Sequence, residues 1–409
     1  MSNPSTFVVV GASLAGAKAA EALRAEGFDG RLVLVGEEPQ RPYERPPLSK
    51  GYLRGEADPD KLYVHDEGFY AEHDIELRTE TRTVAIDRPG SEVVDADGER
   101  IAYDRLLLAT GAAARRLRIP GADLDRIFYL RDLADADRLR AALADAGRVA
   151  VVGGGWIGAE VAATVRDTGR EVTMIHPDPA PLQRTLGPEI GQIYRTLHAD
   201  HGVKLAMETS VAAFRGDSAV EEVVTSDGKT IAADLVVVGV GAVPRTELAA
   251  DAGLDVEAGI LVDDRLRTGD ERIFAAGDVA SAWHPLLERR VRVEHWGNAL
   301  NQGPAAARNM LGHQTPYDRL PYFFSDQYDV GMEYVGYASD WDRVVFRGDP
   351  ASREFIAFWV ARDRVVAAMN VNVWDVVEPM RRVIASKQPV HDARLADSDV
   401  PIDELVPAP

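Results

Sequence analysis

The chain repeats itself. Residues 8–23, VVVGASLAGAKAAEAL, align without gaps with residues 150–165, AVVGGGWIGAEVAATV, so that Gly11 meets Gly153, Ser13 meets Gly155 and Gly16 meets Gly158. A second pair follows in the same order: DGERIAYDRLLLATGA (97–112) and DGKTIAADLVVVGVGA (227–242). One matched pair is compatible with chance, whereas two in one order specify a duplicated unit. Each copy opens on an apolar strand that breaks at a glycine and runs into a helix, the opening of a dinucleotide-binding βαβ unit. Each closes with an Asp-Gly hairpin and a buried apolar strand that ends at glycine, Gly111 in the first copy and Gly241 in the second.

Between the copies, strand and helix patterns alternate as in a doubly wound parallel sheet. RLVLVGEE (31–38) and EVTMIHPD (171–178) are the second strands of the two units, and LADADRLRAALADAG (133–147) is a helix expected to end at Gly147. After about residue 321 the pattern changes. GMEYVGYA, RVVFRG, EFIAFWVARD and RVVAAMNVNVW are aromatic and β-branched segments broken by Gly, Asp or Asn, which predict an antiparallel sheet. A helix follows at 376–387, and the last dozen residues read as an extended tail.

Bulk properties remove several functions. With 409 residues, 46% hydrophobic and 27% charged, the composition is that of a soluble globular chain of two or three domains. The longest apolar run, near Leu235–Val243, is too short for a bilayer, so no membrane insertion is expected. The N-terminal apolar stretch runs straight into the glycine turn and reads as a strand, not a signal peptide. A net charge of −20 argues against nucleic-acid or membrane-surface binding. The chain has no cysteine, which excludes disulfides, thiolate metal sites, protein-held Cys₄ clusters and a cysteine redox relay, and fits a cytoplasmic protein. Its nine histidines form no metal pattern; His198 and His201, an H-x-x-H, are expected at a solvated helix end.

The second glycine turn is complete. Gly153 makes the tight turn, Gly155 lets the backbone approach a pyrophosphate and Gly158 lets helix and strand pack closely, with Ile157 and Glu160 on the first helical turn. Where an acidic residue normally meets the adenine ribose, this copy has His176, with Asp178 two residues on. Asp178 favours NADH and His176 is compatible with NADPH; NADH is the preferred reading. In the first copy Glu37 stands at the strand end, placed to accept hydrogen bonds from a ribose. Ser13 replaces a glycine there, and its backbone is expected to avoid positive φ, with its small side chain accommodated at the phosphates. Two dinucleotide sites in one such chain suggest FAD together with a nicotinamide nucleotide.

GASLAG, RPYERPPLSKGYL, LLLATGA, GGGWIGAE, IFAAGDVA and EHWGNALNQG occur in the order found in FAD-dependent pyridine nucleotide-disulfide oxidoreductase-like reductases. The chain resembles most the ferredoxin reductases that serve cytochromes P450 and Rieske-type oxygenases. The likeness covers nearly its whole length, and the lack of a Cys-x₄-Cys pair sets it apart from the disulfide branch. The resemblance implies an α/β fold with two Rossmann-like domains arranged as in glutathione reductase, plus a C-terminal α+β domain. The corresponding boundaries are 1–112 with 244–320 for FAD, 113–243 for NAD(P)H and 321–409 for the C-terminal domain.

It also implies roles. Gly11, Ser13 and Gly16 lie along the FAD pyrophosphate, Glu37 on its ribose, and Arg45 and Lys50 reach the FAD, Lys50 near the flavin ring. Thr110 and Gly111 close the FAD domain, and Arg115 or Arg116 approaches the cofactor. Asp278 hydrogen-bonds the ribityl chain or pyrophosphate, Trp296 sits beside the isoalloxazine and Trp374 closes the flavin from the C-terminal domain. Glu160 lies near the nicotinamide and pairs with Lys50. Lys50 and Glu160 are therefore the expected catalytic pair, and no metal is expected.

The implied activity takes hydride from NADH, or NADPH, onto FAD and delivers single electrons to a [2Fe–2S] ferredoxin that feeds a P450 or Rieske-type oxygenase. Two other classes stay open on sequence alone: a flavoreductase acting on oxygen or a quinone, and an interaction flavoprotein resembling apoptosis-inducing factor. An acidic ferredoxin needs a local basic surface, for which Arg289, Arg290, Arg292, Arg381, Arg382 and Lys387 are the candidates. Monomer and homodimer are both compatible with the sequence.

Overall fold

The computed structural model describes residues 5–406. They fall into two compact units, each built from non-contiguous stretches. The first runs to Glu44 and adds Pro59–Ala113 and Val243–Pro321; the second takes Arg45–Asp58, Ala114–Ala242 and the chain from Tyr322 onward.

The first unit is organised by a five-stranded sheet in the order Ile273–Ala275, Arg105–Leu108, Thr6–Val10, Arg31–Val35, Ile75–Arg78. All its pairings are parallel. Parallel strands covered on both faces must be apolar throughout, and Val8, Val9, Leu34, Leu106, Leu107 and Leu108 are fully buried. Helix Leu14–Ala25 follows the first strand. Helix Trp296–Met310 crosses it so closely that a Cβ at Gly303 would lie 2.2 Å from the Ala15 carbonyl oxygen. A three-stranded antiparallel sheet, Thr83–Asp87, Glu92–Asp95 and Arg100–Ala102, caps the Asp-Gly hairpin of the first repeat.

The second unit contains the same plan again. Its parallel sheet runs Lys204–Met207, Glu171–His176, Arg148–Val152, Leu235–Val238, Ile127–Tyr129, and an antiparallel trio of strands at 211–215, 222–225 and 230–232 again accompanies the Asp-Gly turn. This unit also carries the C-terminal antiparallel sheet, ordered 322–327, 330–336, 364–371, 354–361, 343–349. Trp359, Phe355, Met369 and Tyr334 form its core together with Leu186, Ile190 and Tyr194. The expected fold class is therefore the observed one.

Three details differ from the sequence reading. The helix begun at Leu133 stops at Leu143, not Gly147, because a turn closes between Leu143 and Ala146 before the next strand. The first strand of the C-terminal sheet, Tyr322–Gln327, is absent from that reading. The last dozen residues are no extended tail as far as they are described: Arg347 donates to the carbonyls of Ser398 (3.3 Å) and Val400, a 3₁₀ turn forms at Ile402–Glu404, and Leu405 and Val406 are buried. Residues 407–409 of that stretch lie outside the described range. No helix among the described residues is long and apolar enough to cross a membrane.

Candidate active site

The two glycine turns match in chemistry as well as in sequence. Gly11 has φ +119° and Gly153 φ +107°, a region open to glycine at little cost. Gly11 donates its N–H to Val35 O and Gly153 to Ile175 O, both at 2.8 Å. A Cβ on Gly11 would lie 2.1 Å from Ala109 O, and on Gly153 2.2 Å from Gly239 O. Gly16 and Gly158 each face the carbonyl of the turn glycine, where a Cβ would come within 2.0 Å. The middle position is different. Nothing lies within 4 Å of the point a Cβ on Gly155 would occupy, and Ser13 sits at φ −120° with its hydroxyl unused as a helix cap. The expected negative φ at Ser13 is thus observed.

The bare Gly155 position and the free Ser13 hydroxyl stand at helix N-termini whose first amides have no intrahelical partner, the chemistry that holds a pyrophosphate. Ile157, on the first turn of the second helix, is 43% exposed.

In the first unit, Glu37 is exposed at its strand end and paired with Arg245. Thr110 Oγ1 donates to Arg245 O at 2.8 Å, and Arg245 N–H to Gly111 O at 3.0 Å, so both residues brace the strand end beside Gly11. Asp278 lies on the 3₁₀ turn Gly277–Val279, which Gln302 anchors by accepting the Gly277 N–H at 2.9 Å. His295, near Asp278, is held down to about 4 by loss of solvation, against the pull of that carboxylate. Trp296 Nε1 donates to Glu44, whose carboxyl burial pushes up.

In the second unit, Lys50 and Glu160 come together. Lys50 Nζ stands 2.8 Å from Glu160 Oε2, their side chains 14% and 5% exposed. Ser49 Oγ donates to the same oxygen at 2.5 Å and Ser325 Oγ to Oε1 at 2.7 Å. Thr164, one turn along the helix from Glu160, fixes the Lys50 segment by donating to Ser49 O at 2.7 Å. Arg45 Nη1 donates to Arg131 O at 2.6 Å, and Tyr52 OH to Asp137 at 2.6 Å, so the segment 45–58 is stitched to helix Leu133–Leu143.

His176 packs against the glycine turn. Gly154 N–H donates to His176 Nδ1 at 3.0 Å, and Nε2 faces Asp178 Oδ2 at 3.1 Å; Arg184 donates to Asp178 Oδ1 at 2.9 Å. Because Nδ1 accepts, the ring proton is on Nε2 and the imidazole is neutral; burial lowers its pKa, more than Asp178 raises it.

The remaining expected residues are more dispersed. Arg115 N–H donates to Gly241 O at 2.9 Å, while the Arg116 guanidinium lies over Tyr129, 4.3 Å from the ring centre. Trp374 is 55% exposed and lies over Gly331, where a Cβ would come within 2.6 Å of the indole. The basic candidates for docking are engaged: Arg292 with Glu294, Arg381 with Glu378, Arg382 with Asp403, and Arg290 with the carbonyls of Val262 and Ser281.

His198 overturns its expectation. It is fully buried, Nε2 3.1 Å from Gln327 Oε1 and Nδ1 3.1 Å from Tyr328 OH, and desolvation holds it down to about 4. Sequence reasoning misses Ser49, Ser325, Gln327 and Tyr328. The signal is there in FFSDQ, where alternate residues Phe323, Ser325 and Gln327 all turn inward on one strand.

Comparison with known proteins follows the same lines. The family model for pyridine nucleotide-disulphide oxidoreductase matches residues 5–303, and that for a reductase C-terminal domain matches 322–406. The ferredoxin–NAD(+) reductase component of the anthranilate 1,2-dioxygenase system of Burkholderia cepacia is 42% identical over 96% of this chain and 97% of its own. Two solved structures are each 37% identical over 98% of this chain. One is the covalent putidaredoxin reductase–putidaredoxin complex, matched over 98% of its chain with a TM-score of 0.94. The other is the ferredoxin reductase for the CYP199A2 system of Rhodopseudomonas palustris, matched over 99% with a TM-score of 0.95.

Proposed function

The chain belongs to the pyridine nucleotide-disulphide oxidoreductase family, and from that premise we propose that it is an FAD-dependent ferredoxin reductase. It takes hydride from NADH and passes single electrons to a [2Fe–2S] ferredoxin of a P450 or Rieske-type oxygenase system. Relatives named as ferredoxin reductases, matched end to end, support this activity. The observation that carries it is the buried Lys50–Glu160 pair, placed by the second glycine turn in a chain with no cysteine. Without a dithiol, electrons have no protein-borne relay and must leave from the cofactor itself.

The residues present fit two dinucleotides. Gly155 leaves open backbone, and Ser13 a hydroxyl unused as a cap, each at the N-terminus of the helix that follows its turn. We assign the first turn, with Glu37, Thr110, Gly111 and Asp278, to FAD, and the second, with Ile157, His176, Asp178 and Gly241, to the nicotinamide nucleotide. When bound, FAD supplies the chemistry that accepts a pair of electrons as hydride and releases them singly. Lys50 contributes a desolvated positive charge, which favours a reduced, anionic partner; low exposure makes that charge count for more than it would in water. Glu160 holds the lysine in place and restricts its rotamer. Trp296, fixed by Glu44, presents a rigid aromatic edge.

NADH is the preferred donor because His176 is neutral and Asp178 is anionic at the second strand's end. A neutral imidazole offers a 2′-phosphate no charge, and a carboxylate repels it while accepting ribose hydroxyls. Domain limits of 1–112 with 244–320, 113–243 and 321–409 accompany this assignment, and a cytoplasmic site of action suits a chain fed by NADH.

Anaerobic titration of the FAD-loaded protein tests the proposal. NADH is expected to bleach the flavin faster than NADPH, and a purified [2Fe–2S] ferredoxin to reoxidise it. Rapid bleaching with no electron transfer to any ferredoxin would overturn the reading.

A further inference from the structure

Behind Lys50 and Glu160 the second unit holds a line of hydrogen bonds whose direction is fixed at every step. Glu160, as the carboxylate partner of Lys50, only accepts. The single proton of Ser325 Oγ therefore goes to Glu160 Oε1, 2.7 Å away. Ser325 Oγ can then only accept from Gln327, which sets the amide with Nε2 toward the serine at 3.3 Å. The Gln327 carbonyl is thereby turned to His198, whose Nε2 must carry the ring proton across 3.1 Å. His198 Nδ1 is left as an acceptor, and the Tyr328 hydroxyl donates to it at 3.1 Å. Ser325 and Gln327 are 1% exposed and His198 0%, so water cannot substitute for any inner member. Burial keeps the imidazole neutral, the only state in which it both donates and accepts.

Four donors are thus aligned head to tail, and each polarises the next toward Glu160. The two carboxylate oxygens are divided: Oε2 takes Lys50 and Ser49, Oε1 takes Ser325. If Oε1 were released, the carboxylate could rotate and Oε2 would leave the lysine's line. We propose that Ser325, backed by Gln327, His198 and Tyr328, is a positioning residue that holds Glu160, and through it Lys50, for hydride transfer. The inference rests on the reading of Lys50 as the flavin's positive neighbour.

The chain has six lysines, so lysine-labelled holoprotein gives a resolvable side-chain spectrum. Ser325→Ala is expected to move the Lys50 resonance while the other five stay. It should also slow flavin reduction at saturating NADH about tenfold, the rate equivalent of one hydrogen bond to a charged group, with KM unchanged. Ser325→Thr, which keeps the hydroxyl, should restore both. Tyr328→Phe, at the outer end, should move the Lys50 resonance the same way by less. An unmoved Lys50 resonance together with a reduction rate within twofold of the unmodified protein in Ser325→Ala would overturn the proposal. If that variant fails to fold, an unmoved Lys50 resonance in Tyr328→Phe does so instead. Failure of the functional reading is separate: it shows as an unmodified protein that NADH does not reduce, whatever the resonance does.

Discussion

Asp178 and His176 show how one position changes meaning between sequence and structure. The sequence presents a histidine where an acid is expected, and either nucleotide is compatible with it. The geometry resolves the histidine as an acceptor of the Gly154 N–H, with its remaining proton toward Asp178. It is a brace for the turn rather than a cation. Asp178→Ala should therefore reduce kcat/KM for NADH by about tenfold, the loss of one or two ribose hydrogen bonds, and change that for NADPH much less. Steady-state reduction with both nucleotides checks this; equal losses would remove Asp178 from nucleotide selection. The glycines separate in the same way. Gly153→Ala puts a Cβ 2.2 Å from Gly239 O at a φ of +107°, and should cost about 1–3 kcal/mol of stability. Gly155→Ala meets nothing within 4 Å at φ −79°, so its stability should lie within about 0.5 kcal/mol of the parent. Its effect belongs in the Kd for NADH, measured by titration, since only a bound pyrophosphate would meet that methyl. The repeat makes both glycines visible, but not that one is needed by the backbone and the other stands open.

At the level of elements, the strands and helices legible in the sequence are those with a continuous apolar run or a glycine turn. Thr6–Val10 and Arg148–Val152 are parallel strands buried on both faces, whose composition leaves no other solution. Tyr322–Gln327 escapes because its buried face is partly polar: Ser325 and Gln327 point inward, and an alternation rule based on hydrophobicity scores them as outward. His198 escapes for the same reason; an i, i+3 histidine pair at a helix end looks solvated unless its strand partners are known. Polar groups that satisfy one another in a core are visible only once the elements are assembled. The C-terminal segment is a further case, since Asp and Pro suggest a tail while Arg347, itself 8% exposed, binds its carbonyls. Arg347→Ala should free residues 398–406, raising their amide exchange and costing about 1–3 kcal/mol through the unpaired carbonyls. Flavin reduction should be unaffected, and normal exchange protection in the variant would show that the segment is held by its apolar residues alone.

For the molecule as a whole, the duplicated turns are enough to reach the fold class, because a repeat fixes topology twice over and each copy constrains the other. What the repeat cannot carry is the electrostatics of the interior, and there His198 has a global consequence. Its folded pKa is about 4, against an unfolded value near 6.5, because burial penalises the charged ring. The unfolded chain therefore binds the extra proton between those values. The associated stability is fully present above about pH 6.5 and is lost as pH falls toward 4. The interval corresponds to roughly 3 kcal/mol for a group with no exposure. His295, lowered for the same cause, acts in the same direction. Denaturant midpoints taken from pH 7 to pH 4 should fall steeply in the parent protein and less steeply in His198→Gln, whose amide can still bridge Gln327 and Tyr328 but does not titrate. Equal slopes in the two proteins would mean that acid sensitivity arises elsewhere. The same protonation would turn His198 Nδ1 from acceptor to donor, reversing only its bond to Tyr328, and would place a positive charge at the head of the hydrogen-bond line to Glu160. The Lys50 resonance of the intact protein should therefore hold steady through the upper part of that range and move only as the pH nears about 4, where the folded ring titrates, and should not do so in His198→Gln.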